Sequence, residues 1–306
     1  MSPVILSRPP VGPPVPIDQW AGVTSVWLGA DGSVWDLGTG LGGAVLQRSG
    51  TEGLHDPVIT KFSSKSRVVP GDRPRGWRTE PREVFWPILV YSHESSAEWK
   101  ARYRAFFASI HPENPGTWRI GHDGEVRELQ LTGVYTDGHA LQHDPLILGW
   151  EKFPVALEAH QPYWEGEPLE LGPWRQPETG PFFAPGGSPD FFISSSAEIG
   201  RAYIANPGDV DAWLVWKAVG PLSDIEIGIG DAVASIPFDL AAGEELIIDT
   251  DPRNQSGTLN GVDVTKPLGL LPYGSIPPGS DVEVHVEAGG NGEISATLTP
   301  LYFRAM

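Results

Sequence analysis

Residues 24–37 read TSVWLGADGSVWDL, two short apolar runs carrying Trp27 and Trp35 on either side of Asp31-Gly32. Glycine accepts the positive φ that a tight turn between strands requires, so the stretch reads as a β-hairpin. The same punctuation runs along the whole chain of 306 residues, which holds 37 Gly and 31 Pro among 12 Trp, 11 Phe and 7 Tyr. Many short strands broken by turns are the expected result, and a mainly β fold follows. The length suffices for two domains, each with its own core.

Downstream of the hairpin, Gly38, Gly40 and Gly43 match G-x-G-x-x-G. A dinucleotide site needs a helix opening at the third glycine, and Ser49-Gly50 and Gly53 arrive too soon, so a plain glycine loop is expected. Residues 61–82 then concentrate Lys61, Lys65, Arg67, Arg73, Arg75, Arg78 and Arg82 around Pro70-Gly71 and Pro74. Two readings fit this basic loop: a solvated loop, or an arm that docks on an acidic neighbouring subunit. Val84 to Tyr91 is an apolar strand in which Pro87 predicts an edge or a bulge.

One helix stands out. Ser95 and Glu98 have capping-box spacing, and Trp99, Tyr103, Phe106 and Ile110 recur on one face until Pro112. That stripe reads as core packing over a sheet. Strands resume through Trp118 to Ile120, Val126 to Tyr135 and Phe153 to Ala159, with a turn at Asp123-Gly124. A run of prolines and glycines then predicts a linker at 173–189, between an N-terminal domain (1–172) and a C-terminal β-sandwich (190–306). In the latter, Ile225, Ile227 and Ile229, and Val282, Val284 and Val286, alternate with period two. Trp213 and Trp216 sit three apart, so on a regular strand only one of them enters the core and the other is a candidate contact residue.

The formal charge of −18 is uneven: residues 186–306 carry 17 acidic and 5 basic side chains, against 22 and 16 in residues 1–185. Such a charge disfavours nucleic-acid binding except at a local basic patch. Without cysteine there are no disulfides or thiolate metal sites. No apolar run reaches membrane-spanning length and residues 1–16 are Pro-rich rather than signal-like, so a soluble, unexported protein is expected.

Chemistry-bearing constellations are sparse. Glu283, His285 and Glu287 share one strand face, a pattern that suits a divalent metal and equally the solvated face of a sheet; with no fourth ligand, no metal is assigned. His139 and His143, with Asp144, have ligand-like spacing but no helix to align them. Asp249, Asp251 and Asn254 begin like a calcium loop yet lack its glycine and bidentate glutamate, and a hairpin turn explains them better. No G-x-S-x-G or H-E-x-x-H occurs, so neither an enzyme nor a cofactor is inferred.

The order of these features resembles the distal tail proteins of long-tailed phages, also called minor tail proteins, especially those of actinobacterial hosts. The resemblance runs through the Asp31-Gly32 hairpin, Arg82-Glu83-Val84, the Trp99 helix ending at His111-Pro112, Asp123-Gly124 with Arg127, and Pro162-Tyr163-Trp164. It continues through Ile204-Ala205-Asn206-Pro207-Gly208, Leu246 to Thr250, Ile276-Pro277-Pro278-Gly279 and Pro300 to Ala305. The resemblance implies an N-terminal ring-forming domain, a tail-tube-like β-sandwich or barrel with one packed helix, and a C-terminal jelly-roll or galectin-like β-sandwich. It further implies a six-copy ring in the virion, built in the host cytoplasm. The ring would lie between the tail tube protein and the tail-tip, tail-associated and receptor-binding proteins, with DNA passing through it and a host glycan as a further partner. The segment from Lys61 to Arg82 is longer than that family leads one to expect. A lectin-like carbohydrate-binding module, or an accessory protein of a glycan hydrolase, is the competing reading.

Overall fold

A computed structural model of the chain describes residues 20, 22–68, 70–135, 139–141, 143–175, 202–269 and 271–306. It divides into two compact units, Met1–Gly166 with Tyr302–Met306, and Glu167–Leu301. Of the expected linker, Pro173 to Arg175 lie in a strand of the second unit, and residues 176–189 fall outside the described residues.

The first unit runs β1 (Val23–Leu28), β2 (Val34–Asp36), β3 (Ala44–Leu46), β4 (Ile59–Lys65), β5 (Asp72–Thr79) and β6 (Arg82–Tyr91). Helix α1 (Ser96–Ala108), β7 (Gly116–His122), β8 (Glu125–Val134), the single-turn α2 (Pro145–Leu148), β9 (Trp150–Ala159) and β10 (Trp164–Glu165) follow. One sheet is ordered β2-β1-β7-β8-β9-β6-β3, with β10 also on β8. The long strand β8 joins its two halves, pairing with β7 through residues 125–131 and with β9 through Thr132 to Val134. The halves face each other across tryptophans. Trp86 of β6 meets Trp27 and Trp118 edge-on, with centroids 5.3 and 5.0 Å away, and Trp118 continues to Trp164 at 5.1 Å; all four are fully buried. Edge-to-face packing of this kind adds to the area that aromatic rings bury.

The hairpin forms as expected, with Trp27 opposite Trp35 and Gly32 at φ +81°. Ser95 caps α1, its hydroxyl accepting from the Glu98 N–H at 3.1 Å, and Trp99, Phe106 and Ile110 are buried. Ser95→Ala is expected to cost about 1 kcal/mol, read as a lowered urea midpoint; an unchanged midpoint would show that the cap is dispensable. Pro87 departs from expectation. It lies within β6, between β9 and β3, directly opposite Pro154. Two opposed prolines have no N–H to exchange, so they fit a non-hydrogen-bonded pair of an antiparallel ladder without breaking it.

In the second unit come β11 (Leu169–Arg175), β12 (Ala202–Ala205), β13 (Leu214–Val219), β14 (Ser223–Ile229), β15 (Ala232–Ser235) and β16 (Glu245–Asp249). After them lie β17 (Ser256–Leu259), β18 (Val262–Asp263), the short α3 (Thr265–Leu268), β19 (Asp281–Gly289) and β20 (Glu293–Leu298). A six-stranded sheet (β11-β20-β13-β16-β17-β18) and a four-stranded one (β12-β19-β14-β15) enclose a single core. Ile225, Ile227, Ile229, Val284 and Val286 enter it from the smaller sheet, and Leu214, Trp216, Ile248 and Ile294 from the larger. The residues between them along each strand take the opposite face, as the pleat requires. The chain is mainly β, with sandwich-like sheets in both units.

Candidate functional site

The basic segment is not a loop. Strands β4 and β5 pair antiparallel from Ile59 opposite Thr79 to Lys65 opposite Asp72, and no other described strand joins them. The register shifts where Phe62 faces Gly76 and Ser63 faces Pro74, leaving Arg75 as the extra residue of a bulge, with Gly76 at φ +140°. Period-two patterning could not announce this hairpin, because neither of its faces is buried. Lys61, Lys65, Arg67, Arg73, Arg75 and Arg78 are all exposed on it. Beside them Phe62 and Trp77 remain 46% and 53% exposed.

The arm is held at its base. The Thr79 and Tyr163 hydroxyls are 2.8 Å apart, the Glu80 N–H donates to the Val58 carbonyl at 2.9 Å, and the Trp77 ring lies 6.4 Å from that of Phe303. Arg78 stands over the Phe62 ring at 5.9 Å and pairs with Glu80, whose carboxyl it holds below its ordinary range through a hydrogen bond. Residues 59–79 contain six cations and one anion, Asp72, on a chain of net charge −18. A two-stranded ribbon is marginal in water by itself, and this one presents open strand edges and exposed rings.

Arg82 does not belong to this surface. It begins β6 and is only 2% exposed. Its Nε donates to the Pro162 carbonyl at 2.6 Å, Nη1 to the carbonyls of Gly53, at 2.8 Å, and His55, and Nη2 to that of Phe303 at 2.7 Å. Burial pulls its guanidinium down to about 10, which leaves it charged at neutral pH. Its role is structural, tying the base of the arm to the tail of the chain.

The two tryptophans of the second unit also separate. Trp216, on β13, is in the core with its ring 6.2 Å from that of Trp174, so it is not a contact residue. Trp213 precedes the strand and stays half-buried. Around β9 the structure gathers His139 and His143 about Glu151, a carboxylate 1% exposed that sequence reading passed over. The imidazole Nε2 atoms lie 3.8 and 3.3 Å from its oxygens, while Asp144 caps α2. Asp249 and Asp251 shape the β16–β17 turn, accepting from the Asp251 N–H and the Arg253 N–H, each at 3.0 Å. No described helix is long and apolar enough to cross a membrane.

Neither a scan of protein families nor a search of curated proteins finds a match. Solved structures do match. The Dit protein (gp 19.1) of phage SPP1, described as a paradigm of the hub adsorption apparatus in phages infecting Gram-positive bacteria, aligns with a TM-score of 0.62 at 12% identity. The alignment covers 91% of this chain and 98% of that one. This chain has the Dit fold. Because so much of the chain aligns, the likeness takes in residues of both units. Chains of the phage P2 baseplate in its activated conformation, with Ca and with Sr, align with TM-scores of 0.52 and 0.51, again at 12% identity and over 90% of this chain. The Dit fold thus coexists here with a long basic arm.

Proposed function

We propose that this protein is a structural component of a phage virion, a distal tail ring joining the tail tube to the tail-tip and receptor-binding proteins. The observation that carries the reading is the likeness to SPP1 Dit over 91% of this chain and 98% of that one. The collinear sequence resemblance to tail proteins of actinobacterial phages points the same way. The role is mechanical rather than catalytic: six copies close into a ring, assembled in the host cytoplasm and retained at the tail tip. A cyclic ring needs a heterologous interface, in which one patch meets a different patch on the next copy. The basic arm and the acidic remainder of the chain supply such a pair.

The genome leaves through this ring, so the lumen is neutral or acidic. Every phosphate neutralised by Lys or Arg adds a salt-dependent attraction, and six basic surfaces would turn a conduit into a binding site. Arg73, Arg75 and Arg78 accordingly lie away from the axis. Antibody labelling of virions tests the assignment: gold at the tail tip is expected, and gold along the tube would reject it.

A further inference from the structure

The outer face of the four-stranded sheet carries a second constellation, and it is not the one that strand periodicity predicts. Glu283, His285 and Glu287 follow one another on β19, but the ligand atoms that converge belong to His285, Glu287 and Glu226 of the neighbouring strand β14. All three lie within 4.8 Å of one another, and Glu226 Oε2 is 3.7 Å from His285 Nε2. We propose that Glu226, His285 and Glu287 bind a zinc-class divalent cation.

Register puts Glu226 directly opposite Glu287. Two like charges at such a position destabilise a sheet, and a bound dication removes that repulsion. His285 Nε2 makes no hydrogen bond and faces the Glu226 carboxylate at 3.7 Å, so in the tautomer protonated on Nδ1 its lone pair is offered to a ligand between them. Opposite His285 on β14 stands Gly228, which has no side chain, and the imidazole reaches along the sheet to Glu226. The carboxylate of Glu226 is oriented in turn, since the Ser235 hydroxyl donates to Oε1 at 3.0 Å and leaves Oε2 toward the imidazole. Partners that aim a ligand in this way are a regular part of metal sites.

The donor set selects the ion. One imidazole and two carboxylates suit Zn²⁺, with water as a fourth ligand, whereas Ca²⁺ requires six or more oxygens. Ligands about 2.1 Å from a tetrahedral zinc stand about 3.4 Å apart, so rotamer adjustment of two half-exposed side chains and one exposed one closes the site without moving the strands. Residues on paired strands hold such geometry better than residues on loops.

The test uses the full chain, stripped with chelator and equilibrated with micromolar Zn²⁺, with bound metal measured by atomic emission and folding by circular dichroism. About one tightly bound ion per chain is expected, with affinity falling at least about tenfold in both His285→Ala and Glu226→Gln and unchanged in His143→Ala. Unaltered binding in the first two variants, equal loss in the third, no binding by the folded parent, or displacement of zinc by an equal concentration of Ca²⁺ would each overturn the proposal. Because these residues lie on the outer face of the sheet, the variants keep the parent's dichroism, and a lost ion reports the site rather than the fold.

Discussion

Arg82→Ala is expected to destabilise the first unit by at least about 3 kcal/mol, because each buried acceptor left without its donor costs roughly 1–3 kcal/mol. The guanidinium is the common donor to the carbonyls of Gly53, His55, Pro162 and Phe303, which come from three separate stretches of chain. Its removal therefore releases the 53–55 turn, the segment before β10 and the C-terminal tail together. The same tail is also tied by the Ala305 N–H to the Leu54 carbonyl at 2.9 Å, Arg304 to Asp56 at 2.9 Å, and Tyr302 beneath Arg127 at 3.8 Å. Arg82→Lys should recover less than half of the loss, since an ammonium on a single point cannot reproduce a planar fork of donors. Urea unfolding followed by tryptophan fluorescence measures both, because Trp164, which donates to the Gly53 carbonyl, reports on the same turn. A loss below about 1 kcal/mol in Arg82→Ala would show that water replaces the guanidinium at these carbonyls.

Reversing Arg73, Arg75 and Arg78 to Glu is expected to abolish assembly while leaving each chain folded. All three are exposed on the arm and none lies in a core cluster, so the unfolding free energy should change by no more than about 0.5 kcal/mol. The substitutions turn the six cations and one anion of residues 59–79 into three cations and four anions. Against an acidic neighbour, attraction becomes repulsion at every interface of the ring, and like charges brought together cost several kcal/mol per contact. Complementation of a phage lacking the gene, scored as plaque-forming particles, should fall by orders of magnitude. Normal yield from the triple variant would assign the arm to solvent and remove it from the ring interface. Trp77→Ala separates charge from apolar contact: its ring is half-exposed in the isolated chain, so a defect confined to assembly would show that a partner covers it.

What was legible in the sequence was whatever depends on neighbours along the chain. The Asp31-Gly32 turn, the Ser95 cap and the buried stripe of Trp99, Phe106 and Ile110 follow from short-range sterics and helical period. Buried alternation at Ile225 to Ile229 and at Val284 and Val286 follows from the pleat. Signals of this kind fail where burial does not impose a pattern. The arm has two exposed faces, so its strands read as a basic loop, and Pro87 reads as an edge or bulge residue because nothing along the chain announces Pro154 opposite it.

The tertiary structure alone decided what distant segments do to one another. Arg82 sits in a run of cations at 61–82, and its sequence neighbourhood groups it with the arm; the convergence of residues 53–55, Pro162 and the returning tail at Phe303 surrounds it with carbonyls. Likewise periodicity put Glu283 with His285 and Glu287, whereas strand pairing put Glu226 there, from 59 residues before His285. Alternation along a strand determines which face a side chain takes. It carries no information about which strand lies alongside, and register across the sheet, set by packing of the whole core, supplies that.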